Sequence, residues 1–95
     1  MEKGDNMLEK YLATLGGDTS LIGYEYLLDC LEILSKHKEF KTSLHRLLYP
    51  KVAEKHNTTK YAIFTGIERY IKTTSKNNIS VGKFIKELEI KFRKK

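Results

Sequence analysis

The sequence predicts an all-α fold, a compact bundle of about five or six short helices that contains a helix-turn-helix. Apolar residues recur at spacings of three and four along several segments, and no segment alternates like a strand over more than a few residues. Six glycines, a single proline and the lack of a low-complexity tract also favour a compact helical unit. With 95 residues there is room for one domain, residues 1–95, of which 1–6 are expected to fray.

The first two helices are separated by a glycine pair. The first is predicted from about residue 6 to residue 15, and Gly16-Gly17 ends it because glycine adopts the left-handed cap at no steric cost. The second is predicted from residue 22 or 23 to residue 36 and has the highest density of apolar residues in the chain. We therefore expect the second helix to form the centre of the core.

A further helical segment begins at about residue 40 and ends or kinks at Pro50. Proline in the first turn of a new helix and a proline kink within one helix look alike in sequence, so both arrangements stay open. After a polar loop over 73–78, Ser80 is predicted to cap the last helix by accepting a backbone N–H. The inward residues of that helix are predicted to be Val81, Phe84, Ile85, Leu88 and Phe92.

Residues 47–71 predict two short helices that meet at a tight corner. Pro50 suits the first turn of the first helix, because a missing N–H costs nothing there. Asn57 tolerates the left-handed conformation that ends a helix, and Thr58 or Thr59 can cap the next one. Two helices joined by so short a turn form a helix-turn-helix.

The second helix of this corner is predicted to bury one stripe and to present its opposite face to solvent. The buried stripe consists of Ile63, Ile67, Tyr70 and Ile71. The outward residues are Tyr61, Ala62, Phe64, Thr65, Glu68, Arg69 and Lys72. An exposed Phe64 is unusual for reading DNA and suits a protein–protein contact, unless its ring turns partly into the core.

Charge and composition limit the possible partners. A net charge of +6 and a pI near 9.4 favour an acidic partner, either a nucleic acid or an anionic surface, although many basic proteins bind neither. No apolar run approaches the roughly 18–20 residues that cross a bilayer, and the first residues lack the order of a signal peptide. The lone Cys30 allows no internal disulfide and fits a reducing compartment, so we expect a cytoplasmic location.

The sequence contains no pattern typical of catalysis or metal binding. His37, His45 and His56 are eight and eleven residues apart without a cysteine pair, which does not fit a zinc motif. A Gly-rich phosphate loop, a nucleophile elbow and a metalloprotease motif are also missing. We therefore expect neither enzyme activity nor a cofactor.

The turn and the outward face provide the candidate DNA contacts. Residues at the N-terminus of the second corner helix are expected to contact phosphate, because free N–H groups and the helix dipole attract anions there. These residues are Asn57, Thr58, Thr59 and Lys60. Ala62 and Thr65 suit a thymine methyl group, whereas Glu68 repels phosphate unless it accepts from a cytosine amine. His56 is either a phosphate donor or a helix-terminal histidine bonded to local carbonyls, and Tyr49 either donates to phosphate or lies in the core.

Several strings of the sequence are similar to one family. LYP at 48–50, VA at 52–53, Lys55 and NTT at 57–59 match the pattern LYP-x-[IV]-A-x-[KR]-[FY]-N-T-T, with His56 in place of the usual aromatic residue. GYEYLLDCLEIL and the FI and FR pairs of the last helix agree as well. The chain thus resembles, over about residues 7–93, the C-terminal DNA-binding domain of the sporulation-initiation response regulator of endospore-forming bacteria. The resemblance implies an all-helical effector domain that binds promoter DNA through a helix-turn-helix.

The chain departs from that family in three ways. It has Ala62, Thr65 and Glu68 where the family usually places arginines, each worth ~1–3 kcal/mol of base discrimination, and Phe64 at a usual glutamate. The sequence begins directly before the effector-like part, so control by a phosphorylated receiver domain is expected to be absent or supplied by another protein. The segment between the last two helices, about residues 73–79, is much shorter than in the family, which argues against dimer contacts of the family's kind.

Two functions are therefore expected. The first is a transcriptional regulator that binds double-stranded DNA of a different sequence, with phosphate contacts from residues 57–60, Arg69 and Lys72. Its base contacts would come from Tyr61, Ala62, Thr65 and Glu68. The second is an interaction module or antagonist of a related regulator that has lost DNA binding and uses Tyr61, Phe64 and Glu68. The expected partners are DNA and either a second copy of the chain or a related regulator, and no membrane.

Overall fold

A computed structural model of the chain describes residues 3–92, with side chains described from residue 7 onward. The elements in order are α1 (Lys3–Thr14), α2 (Ile22–Lys36), a 3-10 helix (Lys38–Thr42), a π-helical segment (Leu44–Leu48), α3 (Tyr49–Lys55), α4 (Lys60–Ile71) and α5 (Val81–Lys91). No β-strand occurs between residues 3 and 92. The predicted all-α bundle is confirmed.

Helix α2 lies at the centre of the domain and packs against α3, α4 and α5. Its residues Leu27, Cys30 and Leu34 are fully buried. Burial raises the pKa of the Cys30 thiol far above its ordinary value, because an apolar site favours the neutral thiol over the thiolate. The prediction that this helix forms the centre of the core is confirmed.

Helices α2 and α4 approach each other at a pair of glycines. A Cβ atom on Gly23 would lie 1.9 Å from the carbonyl oxygen of Gly66, and one on Gly66 would lie 2.9 Å from the ring of Tyr26. Any larger side chain at Gly23 would therefore push the two backbones apart. This contact fixes the face of α4 that is buried, and so the face that remains exposed.

Helix α1 begins at Lys3, within the segment expected to fray, and ends at Thr14, one residue before the predicted end. Residues 1 and 2 lie outside the described part of the chain. Gly16 has φ +82°, which is the left-handed cap that the glycine pair predicted. The loop after α4 is tied to this turn, since the Ser75 N–H donates to the Leu15 carbonyl at 2.7 Å.

The π-helical segment runs without a break into α3, so the two form one helical rod through Pro50. The Tyr49 N–H donates to the Leu44 carbonyl, five residues back, which widens this turn. Proline lacks an N–H and its ring crowds the turn before it, and a widened turn accommodates both defects without ending the helix. Of the two arrangements that the sequence left open, the structure has the continuous one.

Helix α5 packs against α2 and α4. The Ser80 hydroxyl accepts the Lys83 N–H at 3.3 Å, as predicted for its N-cap. Four of the five predicted inward residues are buried, and Phe92 is half-buried against the ring of Tyr11 at 5.6 Å between centroids. The nearly buried Glu89 accepts from the Lys41 ammonium at 3.0 Å, which fastens α5 to the 3-10 helix.

Candidate nucleic-acid interface

The turn between α3 and α4 is closed by backbone hydrogen bonds. Asn57 has φ +55°, the left-handed conformation predicted for it. The Thr58 N–H donates to the Ala53 carbonyl at 2.9 Å, and the Asn57 N–H donates to the Glu54 carbonyl at 3.3 Å. These two bonds together form a Schellman motif, which satisfies the last carbonyls of α3 and turns the chain sharply.

Thr59 caps the following helix. Its hydroxyl accepts the Ala62 N–H at 3.1 Å, and its backbone is extended. This decides between the two cap candidates, since Thr58 instead belongs to the Schellman motif of α3. The first N–H groups of α4 point out of its N-terminus, as in any α-helix, beside the exposed residues Asn57 and Thr58. The α3–turn–α4 unit fits the predicted helix-turn-helix.

A carboxylate on α2 anchors the start of the turn. Asp29 accepts from the Lys55 ammonium at 3.1 Å and lies 2.5 Å from Nε2 of His56. The ring of His56 also packs edge-on against Tyr26, with 4.9 Å between centroids. Within the domain, the described partner of the His56 ring is not a local carbonyl but a side chain 27 residues away. The hydrogen bond and the charge of Asp29 raise the pKa of Lys55.

Helix α4 divides into a buried face and an exposed face. The predicted stripe is fully buried, with Ile63, Ile67 and Tyr70 at 0% exposure and Ile71 at 1%. The predicted contact residues are all accessible. Asn57, Thr58, Thr59, Tyr61, Thr65, Glu68, Arg69 and Lys72 are exposed, and Lys60 and Ala62 are half-buried. The ten side chains therefore form one surface that runs from the turn along α4.

Aromatic rings line the edge of this surface. Tyr61 is 69% exposed, and the Lys60 ammonium lies 5.6 Å from its ring centroid. Phe64 is only half-buried and leans towards the π-helical segment, with its ring 5.1 Å from His45 and 6.2 Å from Tyr49. Tyr49 is 1% exposed, so it lies in the core rather than on the surface. Phe64 thus packs partly inward, as one of the two readings of this residue expected.

Two cations of the α4 face are not neutralised by any carboxylate within the described part of the chain. Arg69 and Lys72 form no ion pair with any described residue, whereas Lys55 is paired with Asp29 and also lies 4.0 Å from Glu32. Glu68 is the one carboxylate on the exposed face of α4. The face therefore combines unneutralised positive charge, the open N-terminus of a helix and side chains with hydroxyl groups, a combination suited to phosphate oxygens and base edges.

Sequence reasoning missed two residues that shape this surface. Asp29 lies on the edge of the apolar stripe of α2, where a partnered carboxylate and a solvated one look the same. His45 was assessed only as a possible zinc ligand, and its contact with Phe64 depends on the widened turn before Pro50. Neither contact leaves a local signal in the sequence, because each joins residues from separate helices.

Among the described residues, no group of three or more histidine, cysteine or acidic side chains is placed to hold a metal ion. Within the same residues, no helix has both the length and the apolar character required to cross a membrane.

The described residues form an all-α domain whose corner fits a helix-turn-helix with an exposed second helix, an arrangement typical of small DNA-binding domains. The family model of the sporulation initiation factor Spo0A C terminal matches residues 8–93, nearly the whole chain. The chain therefore belongs to this family, which is the DNA-binding effector domain of a sporulation regulator. A search of curated proteins found no match.

Proposed function

We propose that this domain is a sequence-specific transcriptional regulator that inserts the exposed face of α4 into the major groove of double-stranded DNA. The observation that carries the proposal is the division of α4. Its isoleucines are fully buried, whereas Thr65, Arg69 and Lys72 are exposed and their side chains have no hydrogen-bond or ion-pair partner from residues 7–92. An α-helix fits the width of the major groove, and a helix-turn-helix presents its second helix there.

Phosphate contacts are assigned to the two ends of α4. At its start, the exposed residues Asn57, Thr58 and Thr59 lie beside the N-terminal backbone N–H groups of the helix, and Lys60 adds a cation. At its end, Arg69 and Lys72 are exposed and unpaired within the described chain. Phosphate on the groove edges is attracted both by these charges and by the positive end of the helix dipole.

Base reading is assigned to Tyr61, Ala62, Thr65 and Glu68. This set has no arginine, so it lacks the bidentate contact to guanine that is the commonest specific contact. The methyl groups of Ala62 and Thr65 suit thymine, the Thr65 hydroxyl suits a base edge, and Glu68 suits a cytosine amine. The domain is therefore proposed to recognise a DNA sequence different from that of family members with arginines at these positions.

A second candidate function is an interaction module that has lost DNA binding, for example an antagonist of a related regulator. The exposure of Tyr61 favours this function, since a large exposed aromatic residue is typical of a protein–protein contact. The packing of Phe64 against His45 and Tyr49 argues against it, because that ring offers less of its surface to a partner. A second copy of the chain and a related regulator are the candidate protein partners.

Fluorescence anisotropy with mixed duplex DNA across a salt series tests the proposal. The slope of log K against log salt is expected near −0.9 for each phosphate contacted. Replacing Lys60 and Lys72 with alanine should flatten this slope by about one unit per cation. Lys10→Ala on α1 removes an exposed charge away from the corner and should leave the slope unchanged. No detectable binding at about 50 mM salt would reject DNA binding and favour the interaction module.

A further inference from the structure

The two sides of α4 differ in charge. One side is formed by α2, which touches α4 at Gly23 and Gly66 and continues past the turn at Asp29. This side, here called the α2 flank, carries three carboxylates spaced along one face of the helix: Glu25, Asp29 and Glu32. Its nearby cations are already paired, since Lys36 lies 3.7 Å from Glu32 and Lys55 lies 3.1 Å from Asp29. A phosphate group on this side would therefore meet these carboxylates, whose neighbouring cations Lys36 and Lys55 are already neutralised.

The other side of α4 is formed by the π-helical segment. Here His45 is exposed, and its ring lies 5.1 Å from Phe64 of α4. Arg46 follows it, is exposed, and has no ion-pair partner among the described residues. The segment contains no acidic residue. This side, here called the His45 flank, therefore offers two nitrogen donors and unneutralised positive charge beside the exposed face of α4.

The continuity of the rod through Pro50 places these residues where a second DNA contact is expected. In helix-turn-helix proteins the first helix crosses the phosphate backbone while the second lies in the groove. In this chain the first helix does not begin at Tyr49, because the π-helical segment extends it back to Leu44. His45 and Arg46 thus occupy the N-terminal end of the helix that crosses the backbone.

We infer that His45 and Arg46 form a second phosphate-binding site, which holds the DNA strand on the His45 flank and turns the α2 flank away from the duplex. The inference rests on the proposed function, since it requires that α4 enter the groove. It adds two contact residues outside the turn and α4, and it fixes how the domain is oriented on DNA. Charge complementarity decides the orientation, because a reversed duplex would bring phosphates against Glu25 and Glu32.

The charge distribution along the whole chain agrees with this orientation. Residues 1–40 contain eight acidic and four basic side chains, whereas residues 41–95 contain four acidic and fourteen basic ones. The positive charge is thus concentrated in the part of the chain that includes the His45 flank and α4. The part that includes α1 and α2 has a net negative charge of four. The domain therefore presents its basic half to an anionic partner and keeps its acidic half away.

The first test compares alanine substitutions at three positions, Arg46, His45 and Lys36, in the salt series. Arg46→Ala should weaken binding to mixed duplex DNA and flatten the salt slope by about one unit. Adding His45→Ala to the Arg46→Ala variant should weaken DNA binding further. Lys36→Ala on the α2 flank also removes an exposed cation and should leave affinity and slope unchanged. Equal effects of the Arg46 and Lys36 variants would overturn the inference.

The second test measures the orientation directly. Leu47 on the His45 flank and Ile22 on the α2 flank are 37% and 51% exposed, so each accepts a cysteine to which an iron chelate that cleaves DNA is attached. The native Cys30 is fully buried and its raised pKa keeps it unreactive. Leu47→Cys should cleave the duplex strongly, and Ile22→Cys only weakly.

The outcomes separate this inference from the proposed function. If the wild-type domain binds DNA with a steep salt slope but cleavage is equal from both positions, the orientation is wrong and DNA binding by α4 stands. Stronger cleavage from position 22 also overturns the inference. If the wild-type domain does not bind duplex DNA at low salt, the proposed function fails, and the inference fails with it.

Discussion

The two faces of α4 are specified in different ways. Its buried face is determined by packing, since Ile63, Ile67 and Tyr70 fill the core and Gly66 lies against Gly23. Its exposed face is constrained by nothing within the domain, because Thr65, Arg69 and Lys72 have no intramolecular partner in the described structure. The first face therefore preserves the family's fold, while the second is free to acquire a different DNA specificity. Substitutions that affect one face and spare the other test this division.

The largest effect is expected at the contact between the two helices. Gly23→Ala would place a Cβ 1.9 Å from the Gly66 carbonyl oxygen, so the backbones must separate and the free energy of unfolding should fall by about 3 kcal/mol. Gly82→Ala is the matched control, because its Cβ would make only an ordinary contact, 3.5 Å from a Leu44 methyl group. Urea denaturation of both variants measures the difference. Equal stability of the two would show that the backbone contact does not fix α4.

The capping threonine is expected to have the next largest effect. Thr59→Ala removes the acceptor for the Ala62 N–H and should lower the free energy of unfolding by about 1 kcal/mol. Thr58→Ala removes an exposed hydroxyl that makes no described hydrogen bond, so it should change stability by less than about 0.5 kcal/mol. Thermal and urea unfolding of the pair will show whether the corner depends on this cap. A larger loss at Thr58 would contradict the assignment.

Substitution of Tyr70 is expected to increase the free energy of unfolding, whereas the substitutions above lower it. Its hydroxyl is buried and finds no hydrogen-bond partner among the described residues, and burial, together with the charge of Tyr24, raises the pKa of Tyr70 to about 12. The fold favours the protonated hydroxyl over the phenolate. The stability that this preference contributes is complete below the ordinary pKa of 10.0 and is lost as pH rises towards about 12. Tyr70→Phe removes the unpaired buried hydroxyl, so it should raise the free energy of unfolding by about 1 kcal/mol at pH 7. Because phenylalanine does not ionise, the variant should also lose less stability at alkaline pH. Urea unfolding at pH 7 and above pH 10 measures both. A destabilised variant would indicate a partner for the hydroxyl.

The smallest effect on stability is expected on the exposed face. Thr65→Ala and Arg69→Ala should each change the free energy of unfolding by less than about 0.5 kcal/mol, since neither side chain is packed. Their effects on DNA should differ from each other. Arg69→Ala should weaken binding to all sequences, whereas Thr65→Ala should change sequence preference at fixed salt. Selection of preferred duplexes from a random pool distinguishes the two.

The local features of the fold could be predicted from the sequence. Asn57 in the left-handed region, Gly16 as a helix cap and Ser80 as an N-cap each follow from the preferences of one residue, and each is confirmed. The buried stripe of α4 follows from helical spacing and is confirmed as well. These signals require no knowledge of distant parts of the chain.

The features that join separate helices could not be predicted. Nothing in the sequence shows that Asp29 holds His56, because an acidic residue at the edge of a helix is normally solvated. The burial of Glu89 against Lys41 was not anticipated for the same reason. The π-helical segment was also missed, since Pro50 is compatible with both a helix start and a continuous rod. The proposed orientation of the DNA depends on the last of these features, the continuous rod through Pro50.

The most direct test of DNA binding by the exposed face of α4 is to map the DNA contact onto the protein. Unlabelled duplex DNA is added to the ¹⁵N-labelled domain, and the backbone amide signals are followed by NMR at moderate salt. If the exposed face of α4 binds DNA, the largest changes in amide signals are expected on the turn and on this face, at Thr59, Tyr61, Thr65 and Arg69. The amide signals of α1 should change little. Changes confined to α1 and α5 would contradict the claim that the exposed face of α4 binds DNA.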